Sequence, residues 1–199
     1  MVSQFKNNNM IIIGITGTLG AGKGTIVEYL VGEKGFVHYS VRAYLMERIR
    51  EQGLPENRDS MFRLANELRT SFGPSYVTDQ LYKQALVSGK NCVIESIRTP
   101  GEINSLKAKG HFFLLAVDAD PEFRYQRILL RQSETDRVTR QTFLENEERE
   151  MNTTDPNKQN LKKCIEMADF ILLNNGTKKD LIQQVETVLD QVWRKGPLG

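Results

Sequence analysis

The stretch GITGTLGAGKGT, residues 14–25, sets five glycines and one lysine directly behind the apolar run MIII. Gly17, Gly22 and Lys23 take the first, sixth and seventh places of the phosphate-loop pattern, Gly24 fills the eighth, and the hydroxyl comes one place later at Thr25. Glycine lets consecutive backbone N–H groups turn onto phosphate oxygens, and a helix starting at the same point adds its positive end. Lysine supplies a mobile charge for the outer phosphates, and Thr25 a hydroxyl in the first helical turn. The expected ligand is a nucleoside triphosphate, cradled by Gly17, Thr18, Leu19, Gly20, Ala21, Gly22, Lys23, Gly24 and Thr25.

Other residues have the chemistry to work beside such a loop. ESIR supplies Glu95 and Arg98. A carboxylate at the C-terminal edge of a strand can hold a magnesium-bound water or orient an attacking phosphate, and an arginine offers a planar fork for phosphate. RILLR puts Arg127 and Arg131 four residues apart on one helical face. Arg124, one turn earlier, could join them, but Glu122 and Glu134 fit an ordinary solvated face as well.

Positioning these groups calls for alternating strands and helices. Apolar, β-rich runs occur at 10–16, 36–39, 91–96, 112–119 and 169–174. Their continuous apolar character, without in-and-out alternation, is what strands show when helices cover both sheet faces, so the expectation is an α/β three-layer sandwich around a parallel sheet. Helices are predicted near 23–34, 41–53, 57–73, 75–88, 100–109, 121–132, 140–152, 158–168 and 177–195, with Asp120-Pro121-Glu122 as a helix start.

Composition narrows the function classes. At 199 residues and 39% hydrophobic, with no linker-like stretch, the chain reads as a single domain. Its net charge of +2 favours no nucleic-acid surface, the polar start carries no secretion signal, and no apolar run spans a membrane, so a cytoplasmic protein is expected. Cys92 and Cys164 lack the spacing of a zinc site or a disulfide framework, and His38 and His111 read as structural residues.

GKGT, with glycine directly after the lysine, resembles the adenylate kinase branch of phosphate-loop proteins. RLANELRTSFGPSYV (63–77), VIESIRTPGEI (93–103), RILLR (127–131) and ADFILLNNGT (168–177) resemble a group of small nucleotide kinases. That group includes the kinase-like domain joined to some deoxycytidylate deaminases and uncharacterised archaeal phosphate-loop kinases, with dephospho-coenzyme A kinase as a more distant relative. The resemblance implies a five-stranded sheet in the order 2-3-1-4-5, a helical acceptor-binding insertion at about 40–88 and a short lid at about 132–142. It further implies phosphoryl transfer from ATP, with Mg2+, to a small nucleotide, most simply a nucleoside or deoxynucleoside monophosphate.

On that resemblance Lys23, Arg98, Arg127 and Arg131 are the catalytic residues, and Thr25 and Glu95 hold the metal, Glu95 through water. Adenylate kinases end the third strand in an acid, a glycine, a short turn and a phosphate-gripping arginine, a pattern ESIR follows with Glu95 and Arg98. Ser40, Arg42, Asn66, Arg69, Glu95 and Arg98 fall in acceptor-binding stretches, Arg137 in the lid, and Asn175 and Gly176 in the turn beside the nucleotide base, with Thr177 as a helix cap. YSVRAYL departs from the family pattern at Ala43 and Met46, where an acid and an arginine are usual. A dephospho-coenzyme A kinase and a nucleotide-binding regulatory module with little turnover therefore remain as alternatives, and the sequence sets neither the acceptor nor the oligomeric state.

Overall fold

A computed structural model describes residues 10–131 and 139–195. The apolar run before the glycine loop forms β1 (Ile12–Gly17), buried along its whole length. β1 pairs in parallel with β3 (Cys92–Glu95), Ile13 opposite Val93, and with β4 (Phe112–Asp118), Ile13 opposite Phe113. β2 (Val37–Ser40) extends the sheet beyond β3 and β5 (Phe170–Leu173) beyond β4, giving the order β2-β3-β1-β4-β5 expected from the resemblance.

Parallel neighbours need crossover connections, and these cover both faces. One face packs β1 residues Ile13 and Ile15 against α1 (Lys23–Lys34) and α9 (Lys178–Lys195), through Ile26, Leu30, Leu181, Val185 and Leu189. The alternate β1 residue Ile12 joins Cys92, Ile94 and Leu114 on the other face. There they meet α2 (Val41–Glu51), α3 (Arg58–Phe72), α4 (Tyr76–Ser88), α5 (Pro100–Lys107) and α8 (Leu161–Glu166), through Leu45, Leu64, Leu81, Ile103 and Cys164. α6 (Pro121–Arg131) and α7 (Arg140–Met151) complete the helices among the described residues, all with ends within one turn of those expected.

Local signals set these boundaries. Asn57, Thr99 and Thr139 accept from N–H groups in the first turns of α3, α5 and α7, and the Glu122 N–H donates to Asp120 Oδ1 at 2.9 Å where α6 begins. α8 is shorter than expected because Asn160 caps it, accepting from the Lys163 N–H at 3.0 Å. Cys92 and Cys164 are free and buried. Most of the expected lid, and Arg137 with it, lies outside the described residues.

Candidate active site

The loop between β1 and α1 closes tightly enough to demand glycine. Gly17 has φ 141°, and a Cβ there would stand 2.0 Å from the Val117 carbonyl oxygen; at Gly20, φ 79°, it would stand 2.5 Å from that of Arg124. Gly22 caps α1 without any side-chain bond, and no acidic residue lies in the first turn. The N–H groups at this helix start are thus left to an external anion. Lys23 folds back so that Nζ donates to the carbonyls of Gly17, at 2.9 Å, and Thr18, at 2.7 Å. Burial, and then the charge of Arg98, bring its ammonium down to about 7, against an upward pull from Glu150 and Glu95.

Three side chains from outside the loop brace it. The Thr18 hydroxyl donates to Asp118 Oδ1 at 2.5 Å, and Asn174 Nδ2 donates to the Ala21 carbonyl at 2.8 Å. Arg124 is buried. Its guanidinium donates to the Ala119 carbonyl at 2.8 Å and the Leu19 carbonyl at 3.4 Å, pairs with Glu147 at 2.8 Å and lies over the Phe143 ring. It is a brace for the loop from behind and does not join Arg127 and Arg131 at the cleft, because the carbonyls and α7 consume its donors. Gly17, Thr18 and Ala21 likewise shape the loop from behind, whereas Leu19, Gly20, Gly22, Lys23, Gly24 and Thr25 line the cleft in front of it.

That cleft has a volume of about 610 Å³. Arg127 and Arg131 reach it from α6, Arg42 from α2, Arg58 from α3, and Glu95, Ser96 and Arg98 from the end of β3. Arg127 also donates to the Asn174 carbonyl at 2.8 Å. A smaller cavity of about 100 Å³ shares Arg42, Arg58, Ser96 and Arg98 with the cleft. Val41, Leu45, Met61, Phe62 and Ala65 form its apolar wall, and Arg69, Glu150 and Gln159 complete the lining.

Glu95 accepts from Ser40 Oγ at 3.0 Å and lies 3.6 Å from His38 Nε2. Burial raises its carboxyl, but the bonds from His38 and Ser40 and the charges of His38 and Lys23 outweigh burial and hold it below the usual carboxylate range. His38, read from the sequence as an isolated structural residue, is therefore a partner of the cleft's carboxylate. Ser96 follows Glu95 with φ 66°, and no other described residue apart from glycine has positive φ. It occupies the place where the resembled family carries glycine.

The structure gives several residues expected at the site other partners or positions. Ser40 does not line the cleft; it caps α2 through the Ala43 N–H at 3.1 Å and holds Glu95. Asn66 lines neither cavity and accepts from Arg69 at 3.4 Å. Arg69 lines the smaller cavity from a buried position, paired with the buried Glu102 at 3.3 Å. Asn175 accepts from the Asp120 N–H at 2.8 Å and Gly176 packs on Asp180, so neither lines the cleft; the preceding Asn174 is the residue that touches the loop. Thr177 caps α9 as expected, its Oγ1 exchanging bonds with Asp180. Sequence reasoning missed Arg58 and Glu150, whose side chains meet here only through the packing of α3 on α7.

The donor set fits a nucleoside triphosphate with magnesium. The loop is a concave surface that a side chain would fill, and Thr25 and Glu95 offer the hard oxygens magnesium prefers. No cluster of three or more His, Cys, Asp or Glu occurs among the described residues, so a magnesium ion held here would take its other ligands from phosphate and water.

Residues 13–153 match the model of a family described as an AAA domain. The chain belongs to this family, AAA_18. The match runs from β1 to just past α7 and includes the loop, Glu95, Arg98, Arg127, Arg131 and Glu150. The chain is also 27% identical to a UPF0200 protein of Methanococcus maripaludis, over 92% of this chain and 98% of that one. Among solved structures it is similar to TT1252 of Thermus thermophilus, at a TM-score of 0.60 and 24% identity over 92% of this chain and 98% of that one. It is also similar to shikimate kinase of Bacteroides thetaiotaomicron, at 0.54 and 14% over 92% and 98%. The fold is thus one it shares with phosphate-loop kinases. None of the described helices is long and apolar enough to cross a membrane.

Proposed function

We propose that the protein transfers the γ-phosphoryl group of ATP to the phosphate of a small nucleotide, a nucleoside or deoxynucleoside monophosphate. One observation carries this reading: the phosphate-loop cleft and a second cavity with an apolar wall share Arg42, Arg58, Ser96 and Arg98. A donor polyphosphate on the loop and an acceptor phosphate on these arginines would meet between Lys23 and Arg98, and the apolar wall suits the rest of the acceptor.

Lys23 would exchange the Gly17 and Thr18 carbonyls for the β and γ oxygens, its positive charge restored by the polyphosphate. Arg98 would align the acceptor, while Arg127 and Arg131 offset charge on the group in flight. An acceptor phosphate oxygen attacks the γ phosphorus in line, the bond to the β–γ bridging oxygen breaks, and ADP leaves with that electron pair. No protein base is needed, since the acceptor oxygen is already anionic. Thr25 and Glu95 would hold magnesium, Glu95 through water, and the metal would add neutralising charge at the β and γ oxygens.

The test is ADP formation from ATP and magnesium across a panel of mononucleotides, with dephospho-coenzyme A included, read above the rate without acceptor. One strongly stimulating mononucleotide is expected. Lys23→Ala should abolish turnover with the fold intact, and Arg98→Ala should raise the acceptor KM. Stimulation by dephospho-coenzyme A alone would move the transfer to a hydroxyl, and nucleotide binding without any stimulation would favour a regulatory module.

A further inference from the structure

Arg58 and Arg98, which reach both cavities, converge on one carboxylate. Glu150 of α7 presents Oε1 to Arg58 Nη2 and Oε2 to Arg98 Nη1, the latter at 2.5 Å, and only 7% of its side chain is exposed. Two oxygens spread between two guanidinium forks are the arrangement of a bound anion. Arg58 Nε and Arg69 Nε at the same cavity are buried without partners, so the carboxylate uses only part of the donor set. Burial raises the Glu150 carboxyl, and Arg98 and Arg58 together outweigh it, so the group is charged at neutral pH.

We propose that Glu150 is the specificity-determining residue of the acceptor subsite: it holds the place of the acceptor's anionic group between Arg58 and Arg98 and yields it to a phosphomonoester dianion. The inference rests on the nucleotide-acceptor reading above. A phosphomonoester brings about −1.5 to −2 charges and three acceptor oxygens against the single charge and two oxygens of the carboxylate. A neutral nucleoside, or an acceptor carrying only a carboxylate, has no such advantage and is turned away. α7 need not move when the side chain swings out. Arg149, the neighbouring residue, ties it to α3 through Asp59 at 3.0 Å and the Phe62 ring at 4.4 Å, and Glu147 ties it to Arg124.

The test fills the loop with magnesium and a non-hydrolysable ATP analogue, then titrates inorganic phosphate and acetate by calorimetry into the wild type and Glu150→Gln. With its competitor removed, the variant should bind phosphate about tenfold tighter or better. Acetate, without measurable heat in the wild type, should then bind as well. A Glu150 that merely props the arginines in place predicts the opposite sign. Unchanged or weaker phosphate binding, with analogue binding and melting temperature retained, overturns the inference alone; absent heat with the analogue overturns the nucleotide reading and the inference with it. Glu150→Asp keeps a charge beside the buried guanidiniums but cannot span both, so it should shift phosphate affinity the same way by less; no gain there overturns the proposal even should Glu150→Gln fail to fold.

Discussion

Asn174 Nδ2 donates to the Ala21 carbonyl oxygen at 2.8 Å, tying the residue just past β5 to the middle of the phosphate loop. Asn174 is buried, and its own carbonyl accepts from Arg127 at 2.8 Å, so one residue joins the loop to the arginine helix. Asn174→Ala leaves the Ala21 carbonyl without its partner and should cost about 1–3 kcal/mol in urea unfolding. The same variant should weaken triphosphate binding in calorimetry. Unchanged affinity would show that the bond braces the fold and not the ligand.

Lys23 makes nucleotide binding sensitive to pH. Burial and the Arg98 charge lower its ammonium from 10.5 to about 7. Between those values the unfolded chain holds a proton that the folded one has lost, so this group's contribution to stability rises as pH rises through that window. Polyphosphate favours the charged form and reverses the effect on binding. Above pH 7 binding should take up about one proton, and affinity should fall by up to about tenfold per pH unit. Calorimetry at pH 8 in buffers of differing ionisation enthalpy measures the uptake, and Lys23→Met should abolish it.

Two neighbouring glycines should behave oppositely. A Cβ at Gly24 meets nothing within 4 Å, and the residue lies in the first turn of α1. Gly24→Ala should stabilise the protein by about 0.5–1 kcal/mol through the helix preference of alanine, with triphosphate binding retained. Gly20→Ala meets the Arg124 carbonyl from a positive φ and should destabilise the protein and cut binding. Thermal unfolding with and without ATP separates the two.

Ser96 pays for its place at the cleft with a left-handed backbone. A non-glycine residue there costs about 1–2 kcal/mol, partly offset by the extra freedom glycine has when unfolded. Ser96→Gly should therefore raise stability by up to about 1 kcal/mol and leave acceptor KM unchanged. An increase in KM would instead assign the hydroxyl to the acceptor.

The amino-acid order alone makes the scaffold and the loop legible. Strands covered on both faces favour apolar residues on both sides, which is why β1 and β4 stand out as nearly continuous apolar runs, and caps such as Asp120 and Thr177 act on N–H groups only a few residues away. The loop is equally local, since its glycines and lysine lie within one turn between a strand and a helix. Tertiary structure decided what those elements bring together. Glu150 lies 92 residues from Arg58 and 52 from Arg98, and nothing near it in the chain distinguishes it from the other acids of α7. Asn66 accepts from Arg69 three residues on, Ser40 and Asn175 bond to Glu95 and to the Asp120 N–H, each 55 residues away, and Asn174, next to Asn175, reaches the loop. Backbone conformation answers to neighbours in sequence, but a long polar side chain finds its partner only after helices from distant parts of the chain have packed, so the scaffold can be read in advance and the pairing of its charges cannot.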